Sequence, residues 1–184
     1  MMFPEEIETD RLLLRWRTEN DAEEIFARYA QDPEVTRFLL WRPHRSIDDT
    51  LAFLRERTQK HEAGTLASWM IRARDTGSLL GTIGLGIDGH KATLGYCLAR
   101  DAWGTGFATE AVCAVVRVCQ HRDEIWRIEA TCHVANRASA RVLEKSGFTF
   151  ECTLRRDTVY PNLGDEPHDG HLYAIVRGDD GSWS

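Results

Sequence analysis

The chain has 184 residues and a formal charge of −6, with 42% hydrophobic and 28% charged side chains. That length fits one domain with a sizeable core, and the acidic balance gives no basic field for nucleic acid or an anionic membrane. The five cysteines, at 97, 113, 119, 132 and 152, form no Cys-x-x-Cys and no metal-ligand spacing with His. They read as small hydrophobes in a reduced, cytoplasmic protein without a metal site. The opening MMFPEEIETDR lacks the apolar core of a signal peptide, and no apolar run approaches a membrane span.

In chain order, RLLLRWR (11–17) is strand-like, and TENDAEEIFARYA (18–30) reads as a helix opened by a Thr18-x-x-Asp21 box. DPEVTRFL (32–39) reads as a short helix with Pro33 in its first turn. A second box, Ser46-x-x-Asp49, opens a helix that puts Leu51 and Leu54 on one face and ends at Gly64. Three strands follow, 66–75, 78–88 and 91–99, with turn residues at Asp75–Gly77 and Asp88-Gly89, so an antiparallel meander is expected. Then come a helix (105–122), a strand (124–134), a helix (136–146) stopped by Gly147, a strand (148–160), a polar loop and a strand (171–177). GDDGSWS (178–184) reads as a frayed, flexible tail, and the whole is a single mixed α/β domain over 1–184.

Two glycine motifs compete. GLGIDG (84–89) matches G-x-G-x-x-G, but a dinucleotide site needs a helix next, and HKATLGYCLA alternates like a strand instead. It reads as a hairpin whose small residues let backbones approach closely. AWGTGFATEA (102–111) has the right context, because a strand leads into it and a long helix follows at once. Gly104 and Gly106 carry no Cβ, so a ligand can reach the N–H groups at a helix N-terminus, a natural phosphate site. No Gly-Lys-Ser/Thr is present, which excludes the nucleoside-triphosphate loop and leaves a pyrophosphate held by main-chain donors.

LGYCLARDAWGTGFATEA followed by ATCHVANRASARVLEKSGF resembles the GNAT superfamily of acyl-CoA-dependent N-acyltransferases. With IETDRLLLRWRTENDAEEIF and DPEVTRFLLW, the resemblance is to its Rim-type branch of ribosomal-protein N-terminal acetyltransferases and relatives, over residues 6–177. It implies a mixed, mostly antiparallel, strongly twisted sheet with a splayed strand pair, flanked by helices. It implies acetyl-CoA as co-substrate and a primary amine as acceptor, either a protein N-terminus or a small molecule. Leu98 and Arg100 would hold pantetheine through their main chains, and Trp103, Gly104, Thr105, Gly106, Phe107 and Ala108 would cradle the pyrophosphate. Asn136 and Ser139 would lie near the pantetheine and the thioester sulfur. Two departures stand out: Asp101 occupies the place of a usual Gln or Arg, and Leu143 that of a usual catalytic tyrosine.

The catalytic expectations are therefore Ser139 as the group that protonates the leaving thiolate, and an N–H of Cys97 or Leu98 at the thioester oxygen. Ser139 can equally be a helix-start serine bonded to backbone. His133, with Glu129 on the same strand face, is a candidate base, and a structural histidine is the plainer reading. Asp157 lies one register step from where Rim-type relatives place an acid, and such a slip turns a side chain to the other face. His168, Asp169 and His171 do not have zinc spacing and are expected around the amine pocket. Trp41, Arg42, His44 and Arg45 fall where the family builds its acceptor wall. A catalytically silent acyl-CoA-binding module is the alternative function, and a homodimer through 148–177 is a further expectation.

Overall fold

The computed structural model describes residues 3–178 and 180–184. Strands β1 (Glu6–Glu8), β2 (Leu12–Trp16), β3 (Leu66–Ala73), β4 (Leu79–Asp88), β5 (Lys91–Leu98), β6 (Arg127–His133), β7 (Thr149–Val159) and β8 (Pro167–Val176) build one sheet. Its order is β1-β2-β3-β4-β5-β6-β8-β7. Every neighbouring pair is antiparallel except β5 and β6. β3 is buried on both faces, which is why LASWMIRA reads as a continuous run rather than an alternation.

Successive residues of β3 enter different cores. Trp69 joins the larger one, under α4 (Phe107–Gln120) and α5 (Arg137–Lys145). Met70 joins the smaller one, with Ala22, Ile25, Tyr29 and Leu54. Those residues come from α1 (Ala22–Ile25), its π-helical continuation Phe26–Ala30, and α3 (Ile47–Glu62). The short α2 (Pro33–Thr36) adds Val35 to this layer. The Thr18–Asp21 and Ser46–Asp49 boxes both close, with the Thr18 amide 2.7 Å from Asp21 Oδ2.

Some boundaries move. The expected 18–30 helix opens as a 3₁₀ turn at Glu19–Asp21 and widens into the π turn. β1 has no counterpart in the sequence expectations, because its single apolar residue, Ile7, carries no periodicity. β8 begins at Pro167 rather than 171, since pairing with β7 recruits its polar first residues. In the terminal segment, expected to fray, Val176 and Ser184 exchange two main-chain hydrogen bonds of 2.7 and 3.0 Å, and Trp183 packs against the larger core. GLGIDG lies within β4 and its turn, and a Cβ on Gly84 would sit 2.9 Å from Ser68 Cβ, the close approach expected there. No described helix is long and apolar enough to cross a membrane.

Candidate active site

The parallel pair β5/β6 holds together for only three steps, Lys91↔Arg127, Ala92↔Ile128 and Thr93↔Glu129. Beyond them both strands continue, β5 to Leu98 and β6 to His133, without pairing. A wedge opens between them. Across β5, Ala99 N–H bonds Leu80 O at 2.8 Å, so by antiparallel alternation Leu98 and Tyr96 turn their N–H and C=O toward the wedge. Cys97 turns its own toward Thr82. This corrects the expectation for Cys97, whose N–H belongs to the sheet; its buried thiol is pushed up to about 12 by desolvation. Leu98 offers the wedge its N–H, while its carbonyl already accepts the Trp103 indole N–H at 2.9 Å.

The wedge widens into a cavity of about 490 Å³. Its walls include Tyr96, Cys97, Cys132, Asn136, Ser139, Leu143 and Tyr160, together with Arg17, Phe38, Trp41, Phe53 and Arg57. Asn136 caps α5 by accepting from Ser139 N–H at 3.1 Å, which fixes the serine at the mouth of the helix. Ser139 Oγ lies 3.0 Å from the Tyr96 hydroxyl. Tyr96, absent from the sequence expectations, thus reaches across the wedge from β5 to α5. Burial is the main cause that raises its hydroxyl well above the ordinary phenol value, and Tyr160 is pushed up to about 12 by the same cause. Leu143, in the usual tyrosine place, is buried as an apolar wall.

At the far end of β5 the chain makes a 3₁₀ turn, Arg100–Ala102, and enters the glycine loop. Gly104 and Gly106 adopt φ of +74° and +84°, left-handed values that a side chain would resist, and a Cβ on Gly104 would meet nothing within 4 Å. The first N–H groups of α4 have no intrahelical acceptor. Their side of the loop is braced by Arg11, which was not foreseen. Its Nη1 donates to Thr105 O at 3.1 Å, its Nε to Glu110 at 2.7 Å, and its guanidinium covers the Phe107 ring at 4.6 Å. Asp101 does not face the loop unopposed: Arg28 holds it in a two-bond fork at 3.0 Å. The Arg100 side chain pairs with Asp32 at 2.6 Å.

Other expected residues lie apart. Arg42 points to Asp165, 3.8 Å away, in a separate surface hollow. His44 is packed between Trp41 and Phe53 and bonds Thr50 Oγ1 at 2.8 Å, so it supports the wall without lining the cavity. Burial lowers its pKa. Asp157 is exposed, because a bulge between Leu154 and Thr158, with Arg156 at φ +50°, throws it outward while Thr158 faces the cavity. His171 packs on Phe150 and bonds Thr153 at 3.1 Å, away from the cavity. His133 sits behind Phe38 and Tyr160. Its Nδ1 accepts the Ala135 N–H at 3.0 Å, which leaves the proton on Nε2, 3.3 Å from His168 Nδ1. Burial and then His168 lower its pKa. Glu129 is held by Lys91 and Arg127, so it does not polarise His133. Among the described residues that line the cavity there is no carboxylate and no imidazole, and no described cluster has the makings of a metal site.

The GNAT acetyltransferase domain model matches residues 11–149. The chain belongs to the GNAT acetyltransferase family. It is 36% identical to the uncharacterised N-acetyltransferase YoaA of Bacillus subtilis over 179 residues, covering 96% of this chain and 98% of that protein. Among solved structures, the fold is similar to RimL, a ribosomal L7/L12 α-N-protein acetyltransferase in complex with coenzyme A, with a TM-score of 0.84 at 22% identity over 94% and 98% of the two chains. It is also similar to the microcin C7 self-immunity acetyltransferase MccE in complex with acetyl-CoA and AMP, with a TM-score of 0.82 at 22% identity over 91% and 93%. This GNAT chain therefore carries an N-acetyltransferase fold from end to end.

Proposed function

We propose that the chain transfers the acetyl group of acetyl-CoA to a primary amine by direct attack within a ternary complex. The observation that carries this reading is the continuity of the open β5/β6 wedge with the glycine loop. One slot therefore offers main-chain donors along β5 and ends at bare helix N–H groups. Acetyl-CoA supplies an acetyl group activated as a thioester. Main-chain N–H groups of Trp103 to Ala108 hold its diphosphate, with Arg11 bracing the loop through Thr105 O. Tyr96 and Leu98 N–H groups face the pantetheine amides and the thioester oxygen. The Ser139 hydroxyl delivers a proton to the departing sulfur, and the Tyr96 hydroxyl beside it positions and resupplies that proton. Solvent takes the proton from the amine.

Free-thiol release from acetyl-CoA, measured over peptides, amino acids, polyamines and aminoglycosides, tests the reading. Acetyl-CoA binding with no turnover on any amine would favour a silent acyl-CoA-binding module. The exposed, 11-residue edge strand β7 supports a homodimer, and a monomeric mass in solution at micromolar concentration would overturn it. The free cysteines fit a reducing, cytoplasmic setting.

A further inference from the structure

The acceptor wall contains two guanidinium groups that form no ion pair among the described residues. Arg17, just past the end of β2, and Arg57, on α3, flank the Phe53 ring, with their carbons 5.8 and 4.9 Å from its centroid. Arg57 Nε is shut off from solvent and has no hydrogen-bond partner. Arg17 has no ion-pair or hydrogen-bond partner among the described residues. The nearest carboxylates in sequence are committed elsewhere, Glu19 to Arg55 at 3.0 Å and Glu56 to Lys60 at 2.6 Å. Burial brings Arg17 down to about 10, with Tyr29 opposing and the charge of Arg57 adding a smaller push in the same direction, and burial also lowers Arg57. Two desolvated like charges facing one cavity are costly unless an anion completes them.

These arginines are not placed for the diphosphate. The row Trp16–Trp69–Ile83–Tyr96 runs across the sheet at mid-wedge, and Arg17 follows Trp16. The glycine loop lies beyond Leu98, at the end where Arg11 stands. Resting on the acetyltransferase reading above, we propose that the acceptor is a small amine bearing its own anionic group, a carboxylate or phosphate, seated between Arg17 and Arg57. Trp41, Phe38 and Phe53 then enclose the apolar body that joins this anion to the amine. A polyamine finds no counter-charge there, since the lining holds two cations and no carboxylate.

The test compares matched acceptors: leucine or phenylalanine against its carboxamide, 2-aminoethyl phosphate against ethanolamine, and spermidine. Thiol release should give the anionic member of one pair a kcat/KM at least about tenfold above its neutral partner, as for a charge-assisted contact. Which pair responds distinguishes carboxylate from phosphate. In Arg17→Gln and Arg57→Gln the preference should fall to within about threefold, chiefly through KM, while Arg57→Lys keeps part of it. Acetyl-CoA affinity by calorimetry should stay at the wild-type value in these variants, which separates a lost subsite from a lost fold. Equal use of neutral or cationic amines, or a preference intact in both Gln variants, overturns the proposal and leaves the acetyltransferase reading standing. Calorimetric binding of the anionic amine that is lost in the Gln variants, without turnover in the wild type, does the reverse.

Discussion

Replacing Ser139 separates a chemical role from a structural one. Its hydroxyl is 3.0 Å from the Tyr96 hydroxyl, and that same phenol also lies 3.3 Å from the Ser139 carbonyl. In Ser139→Ala the buried phenol keeps the carbonyl as an acceptor, so the structural loss is about 1 kcal/mol, the low end for an unmade hydrogen bond. In a chain of this size that lowers the thermal midpoint by only about 2–4 °C. Proton delivery to a leaving group is worth roughly 10²–10⁴ in rate. The kinetic loss therefore exceeds the structural one by a wide margin if the serine does the chemistry. Thiol release at saturating acetyl-CoA should show kcat down by at least about 100-fold, with acetyl-CoA affinity unchanged. Tyr96→Phe, which leaves the serine in place, should lose only about three- to tenfold. A Ser139→Ala enzyme with kcat near that of the wild type and a slightly lowered midpoint would refute the role and leave the serine as a helix-start residue.

Gly106→Val should weaken acetyl-CoA binding by calorimetry, because a left-handed φ costs about 1–2 kcal/mol with a side chain and its Cβ would press on Arg11 Nη2 at 3.4 Å; unchanged affinity would remove the loop from the site. Burial alone would raise the Asp21 carboxyl, but hydrogen bonds from Arg15 and Thr18 outweigh it and hold the group below its ordinary value. That stability is present above the unfolded carboxylate pKa of about 4 and lost as pH falls through the lower folded value. Asp21→Asn should thus destabilise by about 2–4 kcal/mol at neutral pH, and denaturant melts should converge with wild type in acid; a gap that persists there contradicts the ion-pair argument. Removing the residues after Arg177 strips Trp183 from the core and should cost about 1–2 kcal/mol, whereas an unmoved midpoint would restore the free tail. With no carboxylate or imidazole among the described residues lining the cavity, the acid-side limb of kcat/KM, where activity rises with pH, should follow the acceptor's amine pKa across a series; a limb that stays fixed for every acceptor and is abolished by His168→Gln would show a histidine base at work.

The frame of the molecule is written locally. Capping boxes at Thr18 and Ser46, turn residues after β3 and β4, and a helix following Gly106 each act within a few residues, and each element formed where those signals stand. The splayed strand pair came from the family resemblance, since no local signal marks where β5 and β6 part. Side-chain placement in the long C-terminal ribbon was less legible. The bulge between Leu154 and Thr158 shifts the register and exposes Asp157, and nothing in the composition of LRRDT announces it. Tyr96 was legible in principle: Leu94, Tyr96 and Leu98 share one face of β5 by simple alternation. Arg11, Arg17 and Arg57 were not, because their roles depend on partners far off in sequence: Arg11 gains Glu110, and Arg17 meets Arg57.

Charge shows the same division between bulk and site. A chain of net −6 suggests a surface indifferent to anions, yet its carboxylates are spent on the outside and on structural pairs. Glu110 fastens the glycine loop to Arg11, Asp101 ties down Arg28, and Glu24 and Asp21 take up Arg72 and Arg15. Arg17 and Arg57, on the acceptor wall, have no such carboxylate among the described residues. Local field, not net charge, decides what enters a cleft. An ammonium approaching Arg17 and Arg57 is disfavoured against the neutral amine that must attack the thioester. An anionic group on the same molecule supplies the attraction that brings it in. The wall that recognises the acceptor thus also helps it shed its proton, which is consistent with a cavity whose described lining contains no carboxylate or imidazole to take it.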